Sequence, residues 1–319
     1  MNTTTVGRKV IRITNSLVNL CVLGAIFLLL AFGSYAIWDT GQVHASASAQ
    51  NYERFHPSTE HETASFAELQ AINPDVFSWL TVYGTNIDYP VVQGQNNIRY
   101  VNTDARGNHS LSGAIFLDYR SGSNFSDFSS ILYGHHMENK VMFGEIGLFS
   151  DKSYFDARRY GMLYINGQEH GLEFFAFVHA DAYDHAVFRN GITGTEAQQT
   201  YLDMLLQMAV HTRLDVPVTT EDRIVLLSTC SETSTNGRDI LIGKITGETF
   251  SDPFLTETAA GKQAIPIPVV DELPNLWGIL PLWIQVGVGT MILLLIVLAV
   301  VLICMNRRRA QKKTRYDIR

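Results

Sequence analysis

Along this chain hydrophobic positions run unbroken in two places and alternate with polar ones in between. Residues 13–38 carry no charge, and their stretch LVNLCVLGAIFLLLAFGSYAIW has the ~20 residues that a helix needs to cross a hydrocarbon core. Arg8, Lys9 and Arg12 precede it. Residues 273–306 are again uncharged, contain GTMILLLIVLAVVLICM, and run straight into Arg307, Arg308, Arg309, Lys312 and Lys313. Basic flanks stay in the cytoplasm. The pattern therefore predicts two membrane spans, 13–38 and 276–305, with cytoplasmic tails 1–12 and 306–319 and everything between them outside the cell. A cleaved signal peptide is the alternative for the first run, because HASASA supplies small residues of the kind found at cleavage sites. The run is longer than such a peptide needs and the small residues lie well beyond its end, so an uncleaved anchor is expected.

Between the spans the pattern shortens. Polar residues fill a linker, 39–65, and SFAELQAINPDVFSWL reads as one or two short helices broken at Asn73-Pro74. Then come DYPVVQ, SGAIFLD, SSILYG, GMLYING and GLEFFAFVHAD, runs of Val, Ile, Phe and Tyr set between Gly, Asn, Asp and Ser clusters, as in strands. One helix interrupts them. Thr195-Glu196-Ala197-Gln198 matches a capping box, and Tyr201, Leu202, Leu205, Met208 and Ala209 fall three or four apart, giving one packing face over 195–212. RIVLLST and ILIGKIT add two more strands, and a second linker occupies 248–275. Many short strands with few helices predict a mostly β barrel or sandwich.

Charge then narrows the function. Of 24 basic and 31 acidic residues, ten basic and one acidic lie in the two tails, which leaves the outer part near −16. Nucleic acid needs clustered positive charge, so no nucleic-acid partner is expected; the acidity keeps an exposed domain soluble.

Cysteine use is the sharper signal. Cys21 and Cys304 lie in the two spans, and Cys230 is alone between them. The outer domain has no partner with which to close an internal disulfide, although extracellular domains commonly pair their thiols. A buried free cysteine acting as a small hydrophobe is the structural alternative. Cys230, however, ends one strand, and Arg238 closes the loop CSETSTNGRD where the next begins. If those strands are neighbours, both side chains meet at one rim. The reactive form of cysteine is the thiolate, favoured by a nearby cation or supplied by a base, and Arg238 is a cation that keeps its charge. Histidine is the default proton carrier. His44, His56 and His61 lie in the polar membrane-proximal stretch, and His179 and His185 show no metal-ligand spacing with cysteines or a third histidine, so no metal site or cofactor is expected. His135, at the end of SSILYGH, would sit at a sheet rim, with His136 beside it as the alternative; spacing alone leaves the two open.

These residues resemble a family. LLSTC with Arg238 after it and ILYGHHM before it is similar to the sortase signature, in which a strand carrying TLxTC ends in the cysteine. The blocks AINPDVFSWLTVYGTNIDYPVVQ, GAIFLDYR and YGHHMENKVMFGEIGLFSD resemble class B sortases, and the likeness covers residues 66–246. Leu226 stands where Thr often does, and His136 where that class often has Asn. The resemblance implies a closed β-barrel over 66–247, an N-terminal helical pair, and a helix in the connection before the cysteine strand, all flanked by the two transmembrane helices. It also implies a cysteine transpeptidase without a cofactor. Cys230 would be the nucleophile, His135 the general acid and base, and Arg238 the residue that positions substrate and stabilises the oxyanion; Ser228, Asn97 and Val101 would line the substrate groove. The implied partners are a surface-protein or pilin sorting-signal peptide, an amine acceptor such as a pilin Lys or a cell-wall peptide, and membrane lipid.

Other readings make distinguishable claims. A surface protein or pilin that is itself a sortase substrate also ends in a span and basic residues, but DELPNLWG offers Leu273-Pro274 with no Thr-Gly after it. Papain-like proteases place the His after the Cys, whereas His135 precedes Cys230. The ʟ,ᴅ-transpeptidases carry Ser-x-Gly-Cys, and that glycine is absent.

Overall fold

A computed structural model describes residues 3–57, 64–230 and 236–255; the second expected span, 276–305, its basic tail and most of the linker before it lie outside the described residues. A single helix, α1 (Thr3–Ala47), runs through the first apolar segment. Its Leu28, Leu29 and Phe32 are 69–73% exposed, as lipid-facing side chains are when no protein covers them. The helix ends against the barrel. Asn51 Nδ2 donates to the carbonyls of Ala45 and Ser46, satisfying two of the acceptors that a helix end leaves open. Ala47 is buried, and the Tyr89 hydroxyl donates to its carbonyl at 2.9 Å. A 3-10 turn (Ala49–Phe55) and α2 (Ala64–Ile72) follow and supply Phe55, Phe66 and Leu69 to the core.

The strands are β1 (Val76–Val82), β2 (Asp88–Val92), β3 (Ile115–Leu117), β4 (Ser129–Tyr133), β5 (Tyr160–Ile165), β6 (Gln168–Asp181), β7 (Ala209–Thr212), β8 (Arg223–Cys230) and β9 (Gly237–Thr246). They pair in the order β5-β1-β2-β3-β4-β8-β9-β6-β7, and β6 pairs back onto β5. That last pairing closes eight strands into a ring and leaves no open edge along it. The hairpin that closes it turns at Asn166 and Gly167, with φ of 51° and 83°. Two residues with positive φ make the tight turn that matches strand twist, which is why Asn-Gly stands there.

Alternating residues of β8 face opposite ways. Val225 and Leu227 join the barrel interior with Trp79, Phe149 and Phe177. Ile224 and Leu226 face outward beneath α4 (Thr195–Met208), whose Tyr201, Leu202 and Leu205 cover them. Burying each of these three side chains contributes on the order of 1.5–3 kcal/mol, which holds α4 across the outside of β8, β9 and β6. A short helix, α3 (Lys152–Ala157), is capped by Asp151, whose side chain accepts from Tyr154 N–H.

The structure corrects three local expectations. VFSWLTV is strand β1 rather than a second helix, because Trp79 and Leu80 reach the core only by pairing between β2 and β5. The long helix stops at Met208, and 209–212 is strand β7, drawn off by pairing with β6. Thr195 does not form the capping box: Gly194 is the N-cap, with φ 89°, and its carbonyl accepts from Gln198 N–H.

Candidate active site

Strand pairing assembles the site. β4 and β8 run parallel, with Leu132 opposite Leu227 and Tyr133 opposite Ser228. Gly134 N–H then donates to the Ser228 carbonyl at 3.2 Å. Continuing the register puts His135 level with Cys230. On the other side β8 and β9 run antiparallel, and Cys230 is directly opposite Arg238. Three neighbouring strands therefore end at one rim with His135, Cys230 and Arg238 in a row, in that order. Alternation puts Cys230 and Arg238 on the outer face, the one that Leu226, Ile240 and Ile242 share under α4. Cys230 is a free, exposed thiol and Arg238 is half-buried. Residues 231–235, the tip of the connection, lie outside the described residues.

His135 is held in one orientation. Its Nε2 lies 2.8 Å from the Val101 carbonyl. A carbonyl only accepts, so Nε2 carries the hydrogen and Nδ1 is left to exchange a proton. The fold defends this contact. Val101 ends a 3-10 turn (Arg99–Val101), started by Asn96, whose side chain accepts from the N–H groups of Ile98 and Arg99. Tyr100 is fully buried, and its hydroxyl donates to Asp75 Oδ2 at 2.7 Å. Gly113 passes directly beneath: a Cβ there would lie 2.6 Å from the Val101 oxygen, and its φ is 59°. Only glycine fits both conditions. His136 takes a different course, bridging to Met142, so the rim geometry favours His135.

The residues expected along the groove fall in three settings. Ser228 is 1% exposed and shares the outer face of β8 with Cys230 two positions on; among the described residues its hydroxyl has no hydrogen-bond partner. Val101 meets the site through its carbonyl. Asn97 is committed: its Nδ2 donates to Asp118 Oδ2 at 3.0 Å and its Oδ1 accepts from Tyr119 N–H at 3.0 Å.

Sequence reasoning did not single out Asp118. Its side chain is completely buried where β3 ends. The Arg120 guanidinium grips it with two bonds of 2.8–2.9 Å, Arg120 N–H adds a third, and the Tyr133 hydroxyl donates at 3.2 Å. Burial pushes the carboxyl up, but the hydrogen bonds from Arg120 and Asn97 outweigh it and hold Asp118 below the usual carboxylate range. The same burial, beside that negative charge, raises the Tyr133 phenol well above its ordinary value. The signal in the sequence was Asp-x-Arg just after the run IFL.

Comparison with known proteins bears on the family of the chain. No family model matches the chain. Sortase B of Listeria monocytogenes is 32% identical over 180 residues, which cover 56% of this chain and 72% of that protein. The crystal structure of sortase B from the type II pilus of Streptococcus pneumoniae is 49% identical, covers 57% of this chain and 98% of its own, and superposes with a TM-score of 0.50. A Streptococcus pyogenes class B sortase involved in pilus biogenesis is 41% identical, with 58% and 100% covered and a TM-score of 0.53.

Proposed function

The chain belongs to the class B sortase family, and from that premise we propose that Cys230, His135 and Arg238 carry out its reaction at the rim of the barrel. The chain is a cysteine transpeptidase that acts on sorting signals. Membership in the family sets aside the reading of a surface protein that is only a substrate.

The Cys230 thiolate attacks the carbonyl carbon of the scissile bond in the sorting signal. The carbonyl electron pair moves to oxygen, and the Arg238 guanidinium, opposite the thiol in the sheet, stabilises the oxyanion. As the intermediate collapses, the C–N bond breaks, and protonated His135 gives the Nδ1 proton to the departing amine. A thioester on Cys230 remains. An incoming amine attacks it, returns a proton to Nδ1, and expels the thiolate as the new amide forms. Because Nε2–H is tied to the Val101 carbonyl throughout, the ring keeps its orientation in both proton transfers, as the third member of a triad does for its histidine. Ser228, Asn97 and Val101 border the groove in which the signal peptide lies.

The acceptor amine is a pilin Lys side chain, which makes the enzyme a pilus-assembly transpeptidase; the names of two similar structures support this. Transfer to a cell-wall peptide is the other outcome. One N-terminal helix is long and apolar enough to cross a membrane. The uncharged run before Arg307 supports a second crossing, with both termini in the cytoplasm and the barrel outside.

The observation that carries this reading is the row of three residues where β4, β8 and β9 meet one rim, His135 lying two residues past the end of β4. It is tested by Cys230→Ala, His135→Ala and Arg238→Ala in the full chain, assayed with sorting-signal peptides and an amine. Each is expected to abolish transfer with circular dichroism unchanged; turnover by Cys230→Ala would end the assignment.

A further inference from the structure

Asp118 touches neither the thiol nor the histidine, yet among the described residues its side-chain hydrogen bonds reach Asn97, Tyr133 and, through Arg120, the connection between β6 and α4, which starts opposite Gly237 at the Arg238 rim. Asn97, held by Asp118 Oδ2, precedes by four residues the Val101 carbonyl that orients His135. Tyr133, the last residue of β4 and also held by Oδ2, precedes His135 by two residues. One carboxylate oxygen thus ties the segment that bonds the imidazole, through the Val101 carbonyl, to the segment that carries it. Arg120 extends the network outward. With its amide turned so that the oxygen faces the guanidinium, Asn190 accepts from Arg120 Nη2 at 2.8 Å and donates to Ser121 Oγ at 2.8 Å. Asn190 belongs to the segment between β6 and α4, whose Phe188 ring lies 6.3 Å from that of Tyr133. Asp184 side-chain acceptors and the Tyr201 hydroxyl hold the same segment down at Ala186 and Val187.

We propose that Asp118 is a positioning residue for catalysis: through Asn97 and Tyr133 it sets the place of His135, and through Arg120 and Asn190 it sets the wall formed by the β6–α4 segment. This rests on the site reading above. A buried ion pair is weak evidence for stability, because desolvation offsets much of the attraction; rigid placement of several groups at once is what such a network provides. Loss of placement shows in kcat, since about 1 Å of misplacement costs on the order of 10²-fold.

The test uses the full chain in detergent, with active sites counted by mass spectrometry as the fraction of Cys230 labelled by an irreversible sorting-signal peptide analogue, and kcat and KM measured per labelled site. Asp118→Asn presents an NH2 to the Arg120 donors and is expected to lower kcat roughly 10- to 100-fold with KM little changed. Tyr133→Phe removes one hydroxyl, keeps the ring, and should lower kcat in the same direction. Asn190→Ala should instead raise KM and spare kcat, because it loosens only the wall. A purely structural Asp118 would lower Tm and the number of active sites and leave kcat per site at the parental value. That result for Asp118→Asn, or for Tyr133→Phe where Asp118→Asn fails to fold, overturns the proposal. His135→Ala or Cys230→Ala retaining turnover would instead overturn the site reading on which it rests.

Discussion

Gly113→Ala tests whether the Val101 carbonyl holds His135, the proposed general acid and base, and two separate costs of the change can be read from the structure. The first is conformational. Gly113 sits at φ 59°, where an L-residue pays about 1–2 kcal/mol. The second is crowding. The new Cβ would lie 2.5 Å from the Tyr100 oxygen and 2.6 Å from the Val101 oxygen, both on backbone, and relieving such an overlap costs about 1–3 kcal/mol. Together they predict a loss of roughly 2–5 kcal/mol, or a Tm lowered by about 4–20 °C for a domain of this size. The carbonyl can escape only by moving away from the new methyl, and the His135 ring bonded to it moves too, so kcat/KM should fall about 10- to 100-fold. Gly107→Ala is the matched control. Its φ is 88° and nothing lies within 4 Å of its Cβ, so it carries the conformational cost alone and should leave activity intact. The assay is cleavage of a quenched fluorescent sorting-signal peptide, with melting followed by circular dichroism. Gly113→Ala that melts lower but turns over normally would show that His135 does not depend on the Val101 carbonyl. Equal Tm losses for the two variants would show that the crowding is not real.

Three further outcomes follow from the same geometry. Arg238→Lys replaces a planar fork with a point charge and is expected to cost about 10²-fold in kcat; near-normal turnover would reduce Arg238 to a structural role. Arg213 is buried, stacks on Phe155 at 3.8 Å, and donates to the carbonyls of Phe174, Phe155 and Arg158; burial first, then the neighbouring Arg159, pulls it down to about 10. Arg213→Met strands those acceptors and should lower stability by about 2–4 kcal/mol with kcat per active site unchanged, and an unaltered Tm would contradict it. Asp88 is pushed up by burial but held low overall by His56, Trp79 and Thr81. Its folded value lies below its unfolded one, so its stabilisation is present above about pH 4 and fades as pH falls through the folded value. Asp88→Asn should therefore lose Tm at pH 7, with the gap to the parent narrowing as pH falls below about 4; parallel curves would refute this.

Much of the site was legible because its signals are local. RIVLLST and ILIGKIT alternate between the two cores, and a hairpin between them puts Cys230 opposite Arg238 whatever the rest of the barrel does. What stayed hidden depends on partners far along the chain. VFSWLTV has a helix-compatible pattern, and pairing with β2 and β5 decides it. Residues 209–212 continue a helical stripe until β6 captures them. Spacing left His135 and His136 open and only the family resemblance chose between them; the contact that orients His135 is a main-chain carbonyl 34 residues away, which no side-chain pattern reveals. Asp118 looked like the polar end of a strand; its importance comes from Asn97 and Tyr133 converging on it.

The central claim is that Cys230 forms a covalent acyl intermediate and passes it to an amine. Mass spectrometry of the full-length enzyme, incubated with sorting-signal peptides and then with a Lys-containing acceptor, tests it most directly. The account predicts an adduct with the mass of the acyl fragment on the peptide that contains Cys230, lost when the acceptor is added as the amide product appears. A folded enzyme that joins peptide to acceptor with no acyl mass on Cys230 under any quench, or with the acyl group on another residue, would contradict it.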